Sequence, residues 1–257
     1  MDDTSSPMPI ATAFIVGASS QLSQEMARQL SAQGVELALF AQNSDDLTPF
    51  IEQLPSAAHA FELSIDQPQQ TVQQLETAWQ QLGGAHLVVI NTGFNQYHPD
   101  LPWQLDQAII QVNVQGFAAI ANTCFKLLCE QGYGQLAAIN SIAGMRGGSS
   151  VSFHASKAFS ANYLEGLSMH AQRLKLPITM TDIQLGLLDK AAMQQSRLWS
   201  APIPKVAKQI LVGLQKGKRR LYVTKRWRII AWLAKLLPEY IYNTRHWKSK
   251  TAAKKEG

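Results

Sequence analysis

Five short segments of this 257-residue chain combine small, hydroxylic, amide and charged side chains in patterns that could do chemistry. In order they are V-G-A-S-S-Q-L-S (Val16 to Ser23), N-T-G (Asn91 to Gly93), N-V-Q-G (Asn113 to Gly116), N-S-I-A-G (Asn140 to Gly144) and F-H-A-S-K (Phe153 to Lys157). The first follows an apolar run and opens a helical pattern. There Gly17, Ser19, Ser20, Gln21 and Leu22 can turn backbone N–H groups toward a phosphate at a helix N-terminus, although a tight strand-to-helix turn uses the same residue types. In the last segment Lys157 stands four residues after Phe153, so ammonium and ring share one helix face. Each polar residue also has a plain structural role open to it. Asn113 can bond neighbouring backbone, Asn91 can cap a strand end, and Lys157 can be a solvated helix residue. One cleft accounts for all of them together.

The elements that would position these segments alternate between short apolar runs and longer helical patterns. Strands are expected at Thr12–Val16, Val35–Phe40, Ala60–Ile65, His86–Ile90, Gln135–Asn140, Ile178–Leu185 and Leu221–Val223. Helices are expected at about Leu22–Gln33 (ended by Gly34), near Leu47, and at Gln69–Leu82, Leu105–Cys129, Ser152–Leu174 and Pro204–Gln215. A run such as HLVVI, apolar almost throughout, suits a strand covered on both faces. Repeated β-α units imply an α/β fold, a doubly wound parallel sheet with helices on both faces. In such sheets ligands bind beyond the carboxyl ends of the strands, which is where all five segments fall. The expected organisation is an N-terminal tail over 1–11, one Rossmann-like domain over 12–224, and a basic amphipathic extension over 225–257.

Taken in this order and at this spacing, the five segments resemble the short-chain dehydrogenase/reductase family. The resemblance runs from about Thr12 to Val223 and implies a Rossmann-like fold of about seven strands with one bound nicotinamide dinucleotide. It implies an oxidoreductase acting on a small carbonyl or alcohol, and a homodimer or homotetramer built on the helices around Leu105–Cys129 and Ser152–Leu174. Matched by position, Asn113, Ser141 and Lys157 fill the family's Asn, Ser and Lys, and Phe153 stands where the family has its tyrosine. A free phenol has a pKa of about 10, and a nearby ammonium favours its ionised form, which lets a Tyr–Lys pair move a proton near neutral pH. Phe153 keeps the ring and loses that proton, so a weakened or atypical transfer is expected. The alternative is a silent member of the family that binds or regulates.

Further departures fall where the resemblance places the cofactor. Gly17 is kept from the family's G-x-x-x-G-x-G, while Gln21 and Ser23 take the later glycine positions. Ser64, followed by Ile65, replaces an Asp that meets the adenine, Leu185-Gly186 replaces Pro-Gly, and Lys190 replaces a threonine near the nicotinamide. Asn91 and Gly93 remain. After the second strand Ala41-Gln42-Asn43 offers neither an acid for a ribose diol nor an arginine for a 2′-phosphate, and the missing acid tilts the expectation from NAD toward NADP. Residues 187–201, with Met193, Leu198 and Trp199, would form an apolar lid. Of the candidate substitutes for the phenol, His154 points about 100° away from Phe153 on a helix. Tyr97 and His98 lie on the loop bordering the substrate, and Tyr163 is expected to pack.

Composition narrows the class. With 46% hydrophobic and 16% charged residues the chain can bury a sizeable core, which excludes a disordered or disulfide-stapled protein. Its two cysteines, Cys124 and Cys129, match neither a metal site nor a redox pair and read as reduced thiols on a helix. No metal is expected. The opening MDDTSSP lacks the features of a secretory signal, and no uninterrupted apolar run approaches the roughly 18 residues of a membrane span.

The net charge of +5 hides a split, because residues 205–257 hold 15 Lys or Arg against only Glu239 and Glu256. Between Arg226 and Ile241 apolar residues recur at helical spacing with Trp227 and Trp232 among them, and Pro238 should kink or end that helix. Such a segment, taken with the basic run from 216 to 257, can lie on an anionic membrane surface. Equally, it can dock on the sheet or on a neighbouring subunit with its basic face solvated. Nucleic acid is a poorer third partner, as no base-reading motif accompanies the charge. The expected location is the cytoplasm, with peripheral attachment to the inner face of the membrane as the role the tail offers.

Overall fold

The computed structural model describes residues 9–186, 201–223, 236–238 and 241. The lid residues 187–200, Lys190 among them, and most of the C-terminal extension lie outside the described residues. Strands β1 (Thr12–Val16), β2 (Glu36–Ala41), β3 (Ala58–Glu62), β4 (Leu87–Ile90), β5 (Gly134–Ser141), β6 (Ile178–Leu185) and β7 (Arg220–Val223) alternate with helices. These are α1 (Gln21–Ser31), the short α2 (Thr48–Ile51), α3 (Pro68–Leu82), α4 (Trp103–Ile110), α5 (Phe117–Gln131), α6 (Val151–Leu174) and α7 (Ile203–Gln215). All strand pairs are parallel, in the order β3-β2-β1-β4-β5-β6-β7. This is the seven-stranded Rossmann-like arrangement that the alternating pattern implied.

The period of two along each strand sorts side chains onto two cores. Ala13, Ile15, Leu37, Leu39, Leu87 and Val89 face α1 and α7, where Met26, Leu30, Val206 and Ile210 complete one apolar cluster. Phe14, Val16, Ala38, Phe40, Val88 and Ile90 face the other side, against Leu75, Phe117, Ile120, Cys124 and Leu164. Both faces of the central strands are dry, which explains why these strands read as unbroken apolar runs. Burial pushes the Cys124 thiol up to about 12, so it stays protonated and behaves as a small core hydrophobe.

Three expectations need correction. The third strand ends at Glu62, so Ser64 and Ile65 lie in the connection after it. The apolar alternation continues past Glu62 because Leu63 is buried against the helical layer, which made the strand look longer than it is. Helix α1 stops at Ser31, and Gly34 (φ +82) closes the turn three residues later. The helix expected at Leu105–Cys129 begins earlier, at Trp103, and is interrupted. Between α4 and α5, residues Gln111–Gly116 form a wider π-type turn. Segment 103–131 is long and apolar enough to cross a membrane by length and composition, but half of it is buried inside the protein.

Candidate active site

The centre of the site is the switch point between β1 and β4, where the order of strands reverses. Gly17 leaves β1 at φ +82, and a Cβ there would lie 2.1 Å from the carbonyl oxygen of Asn91. Only glycine allows this approach. Its N–H and that of Ala18 both donate to the Phe40 carbonyl, at 3.0 and 2.9 Å. Ser20 then caps α1 by accepting from the Ser23 N–H at 3.1 Å. Asn91 Nδ2 donates to Ser20 Oγ at 2.7 Å and to Ser23 Oγ at 2.9 Å. A polar clamp of Asn91, Ser20 and Ser23 thus joins α1 to the exit of β4, with buried Ser23 in the place of a glycine. Sequence reasoning gave Ser23 no partner, and the structure joins it to Asn91.

Ser19 and Gln21 are exposed. Among the described residues, the N–H groups of Gln21 and Leu22 have no protein acceptor, as expected for a first helical turn. Asn43, exposed after β2, accepts from the Asp45 N–H at 3.2 Å and donates to the Asp46 carboxylate at 3.1 Å. The Ser64 N–H donates to Gln74 Oε1 at 2.9 Å, and its carbonyl accepts from Thr71 Oγ1 at 2.6 Å. The Ile65 carbonyl lies where a Cβ on Gly116 would come within 2.4 Å, so Ile65 supports the π-type turn. Gly186 donates from its N–H to the Val223 carbonyl at 2.9 Å.

On the other side of the cleft, the π-type turn places Asn113 under the loop that follows β4. Asn113 Oδ1 accepts from the Phe94 N–H at 3.0 Å, and its Nδ2 donates to the Phe94 carbonyl at 2.9 Å and to Ser156 Oγ at 3.2 Å. Gly93 (φ +112) is tight against it, since a Cβ there would meet Asn113 Oδ1 at 2.7 Å. Ser156 passes the connection on to the Phe153 carbonyl at 2.7 Å. Asn113 thus fastens the loop to α6.

The exit of β5 is fastened to the same helix. Asn140 Nδ2 donates to the Lys157 carbonyl at 3.1 Å and to Asp182 Oδ1 at 3.2 Å, while its Oδ1 accepts from the Ser141 N–H at 2.9 Å. A Cβ on Gly144 would meet the Lys157 backbone at 2.7 Å. Ser141 Oγ accepts from the Ala143 N–H at 3.1 Å, which leaves the hydroxyl proton available to a ligand. These contacts hold the exit of β5, which carries Ser141, against the turns of α6 that carry Phe153 and Lys157.

Lys157 Nζ lies 3.5 Å from the Thr92 carbonyl and 5.7 Å from the centre of the Phe153 ring. Burial of this ammonium lowers its pKa to about 8, against the pull of the Asp182 carboxylate, which acts to raise it. Burial raises the Asp182 pKa in turn, opposed by hydrogen bonds from Gln184 (2.7 Å) and Asn140 and by Arg220 at 3.4 Å. Asp182 went unnoticed in the sequence, although an acid inside the strand I-T-M-T-D-I-Q-L was a signal for it. Ser156 and Thr92 gave no such signal.

Of the candidate substitutes for a phenol, His154 and Tyr163 are engaged elsewhere. His154 Nδ1 lies 2.8 Å from the Ser150 carbonyl and its Nε2 faces Gly148. Tyr97 is exposed. Tyr163 packs as expected, stacked on Phe159 with ring centres 5.5 Å apart.

The residues present fit a ligand carrying phosphate and hydroxyl groups. Thr92 Oγ1 is buried without a partner among the described residues, and the enclosed Lys157 ammonium has one distant acceptor. Both sit beside the helix turn with its two unengaged N–H groups. Buried polar groups in this state need a partner from outside the protein.

A family model for short chain dehydrogenases matches residues 11–201. The chain belongs to the short-chain dehydrogenase family. Its relatives include an uncharacterized oxidoreductase of Myxococcus xanthus, 28% identical over 67% of this chain and 70% of that one. Another, from Mycobacterium tuberculosis, is 28% identical over 71% of this chain and 75% of its own length. Among solved structures, a short-chain dehydrogenase from Streptomyces avermitilis superposes with a TM-score of 0.77 at 18% identity, covering 95% of this chain and 98% of that one. The NADPH-dependent 3-quinuclidinone reductase of Rhodotorula rubra superposes with a TM-score of 0.68 at 18% identity, over 82% and 88%.

Proposed function

We propose that this short-chain dehydrogenase is a nicotinamide-dependent oxidoreductase acting on a carbonyl or alcohol, with proton transfer weakened by Phe153. The observation that carries the reading is the buried Lys157 ammonium beside the Thr92 carbonyl at the exit of β4, taken with the Ser141 hydroxyl, which accepts from the Ala143 N–H at the exit of β5 and keeps its own proton. The dinucleotide, when bound, supplies or accepts the hydride. Lys157 and Thr92 would hold its ribose, and the first turn of α1, from Ser19 to Leu22, would hold its phosphates. NADP is preferred to NAD in this reading, because Gln42 and Asn43 place no carboxylate at the end of β2; the NADPH-dependent reductase among the structural neighbours is in keeping with that.

Ser141 orients the substrate oxygen through its hydroxyl. Asn113 keeps the bordering loop on α6, and Asn140 sets the height of Ser141 against Lys157. The proton that completes the alcohol then comes from water or from the Lys157 ammonium, which titrates near the working pH. Phe153 supplies a flat apolar wall and no proton.

Titration of the purified protein with NADPH and NADH, followed by an aldehyde and ketone screen of wild type and Phe153→Tyr, tests this. Tighter binding of NADPH, low wild-type turnover and a rise of about 10²–10⁴-fold in Phe153→Tyr are expected. Binding that stays silent in both proteins would favour a non-catalytic binding or regulatory role, to which Phe153 also lends itself. Absence of dinucleotide binding overturns the reading. For partners, the reading adds a homodimer or homotetramer through α5 and α6, and peripheral attachment to an anionic membrane through residues 216–257.

A further inference from the structure

One polar group inside the sheet is not explained by packing. Asp182 lies within β6, in register with Ala138 of β5 and Arg220 of β7, and is only 5% exposed. Met180, two residues earlier on the same face, packs into the apolar cluster under α6. An apolar side chain at 182 would continue that cluster, and replacing a buried charge with a well-packed apolar group is commonly neutral or stabilising. The carboxylate is instead held at a cost. Gln184 Nε2 donates to Asp182 Oδ2 at 2.7 Å, and Gln184 Oε1 is then buried with no partner among the described residues. Arg220 Nε approaches the same carboxylate oxygen at 3.4 Å, and its Nη2 lies 3.8 Å from the Glu165 carboxylate. Buried charges kept against stability gather at working sites.

The other carboxylate oxygen leads to the candidate active site. Asp182 Oδ1 accepts from Asn140 Nδ2 at 3.2 Å, and the same nitrogen donates to the Lys157 carbonyl at 3.1 Å. Asn140 Oδ1 takes the Ser141 N–H at 2.9 Å. One amide therefore stands between Asp182 and the backbone of both Ser141 and Lys157. A carboxylate accepts and does not donate, so it supports the orientation in which the nitrogen of Asn140 faces β6 and its oxygen faces Ser141. The charge of Asp182 also acts on the Lys157 ammonium, opposing the burial that drives its proton off. Other charged or titratable groups on the elements around Lys157 have partners of their own. Asp106 on α4 bonds Ser152, His154 on α6 bonds the Ser150 carbonyl, Glu165 pairs with Arg220, and Arg146 after β5 bonds the Leu237 carbonyl. Residues 91–93, 117–120 and 140–144, at the exits of β4 and β5 and the first turn of α5, include none.

We propose that Asp182 is a positioning residue for this active site: through Asn140 it sets the backbone of Ser141 and Lys157, and its charge offsets that of the enclosed ammonium. Asp182 has this role on the nicotinamide-dependent reading given above, to which it adds the group that keeps Lys157 cationic. From the surface inward, Glu165, Arg220, Asp182 and Asn140 make one line of contacts that ends on Lys157. With Phe153 in place of a phenol, the cation carries more of the task, since the proton comes from it or from water. Without the carboxylate, burial alone acts on the ammonium, and Lys157 gives up its proton at lower pH.

Carbon-13 labelling of lysine Cε in the full chain reads the titration directly, with the Lys157 signal assigned by its loss in Lys157→Met. The wild type should titrate near pH 8. Asp182→Asn, which keeps the size and removes the charge, should titrate at least about half a pH unit lower. NADPH binding should be alike in the two proteins at about pH 6.5 and about threefold weaker in Asp182→Asn at about pH 9, where half a unit becomes that ratio of cationic Lys157. Asp182→Glu, which restores the charge, should bring the midpoint back toward wild type. An unmoved midpoint in folded Asp182→Asn, or a binding loss of equal size at every pH, overturns the proposal and leaves Asp182 a structural residue. If Asp182→Asn does not fold, the wild type decides. The nitrogen-15 signal of the Asn140 amide should shift at the Lys157 midpoint, and an amide that ignores that step overturns the proposal. A wild type that binds neither NADPH nor NADH overturns the nicotinamide reading and the role of Asp182 with it, whereas dinucleotide binding with an unmoved midpoint overturns that role alone.

Discussion

Lys157→Met should make the protein more stable at neutral pH. The Lys157 ammonium is enclosed by Phe153, Thr92 and the exit of β5, and its pKa falls from 10.5 to about 8 because burial disfavours the charged form. One pKa unit corresponds to 1.36 kcal/mol, so the folded state carries a penalty of at most about 3 kcal/mol below pH 8. The unfolded chain holds this proton up to its ordinary pKa, while the folded chain releases it from about pH 8 upward. Between those values the unfolded state binds more protons, and wild-type stability therefore rises with pH across the interval. Methionine has nearly the same length, fills the same space and carries no charge. Urea unfolding of both proteins from pH 7 to 10.5 should show Lys157→Met ahead by up to about 3 kcal/mol at pH 7, with the gap closing as pH rises. A variant less stable than wild type at pH 7, or a gap that ignores pH, would refute an unpaired buried ammonium. Saturating NADPH should reverse the order, since hydroxyl acceptors brought to Lys157 stabilise its charged form only in the wild type.

Gly144→Ala should destabilise by about 1–3 kcal/mol in urea unfolding and weaken NADPH binding, because its methyl would press on the Lys157 backbone and part Ser141 from α6. Asn91→Ala should cost about 1–3 kcal/mol by removing the donor shared by Ser20 and Ser23, with buried Ser23 left short of a partner. If Asn91→Ala unfolds at the wild-type urea midpoint, the clamp between α1 and β4 contributes nothing.

The sequence displayed the sheet and the cleft wall more clearly than it displayed how the wall is held. β1 ends where its apolar run ends, because a strand dry on both faces stops when small and polar residues begin. β3, at the sheet edge, faces water in part, and buried Leu63 beyond its last pair blurred its end by several residues. Helical periodicity averaged over the π-type turn, since one extra residue scarcely alters a pattern read across eight turns. Yet that turn is what sets Asn113 beneath Phe94. Serine in place of glycine at position 23 looked like a loss at the phosphate turn, when it is one half of a clamp with Asn91. A motif shows which side chains stand at the end of a strand; it does not show which of them have already been taken by each other. The polar groups left over after those internal bonds, the Lys157 ammonium, the Ser141 hydroxyl and Thr92 Oγ1, are therefore a sharper definition of what a ligand must satisfy than the full set of matched residues. By that measure Lys157 is the group whose charge a ligand has to answer.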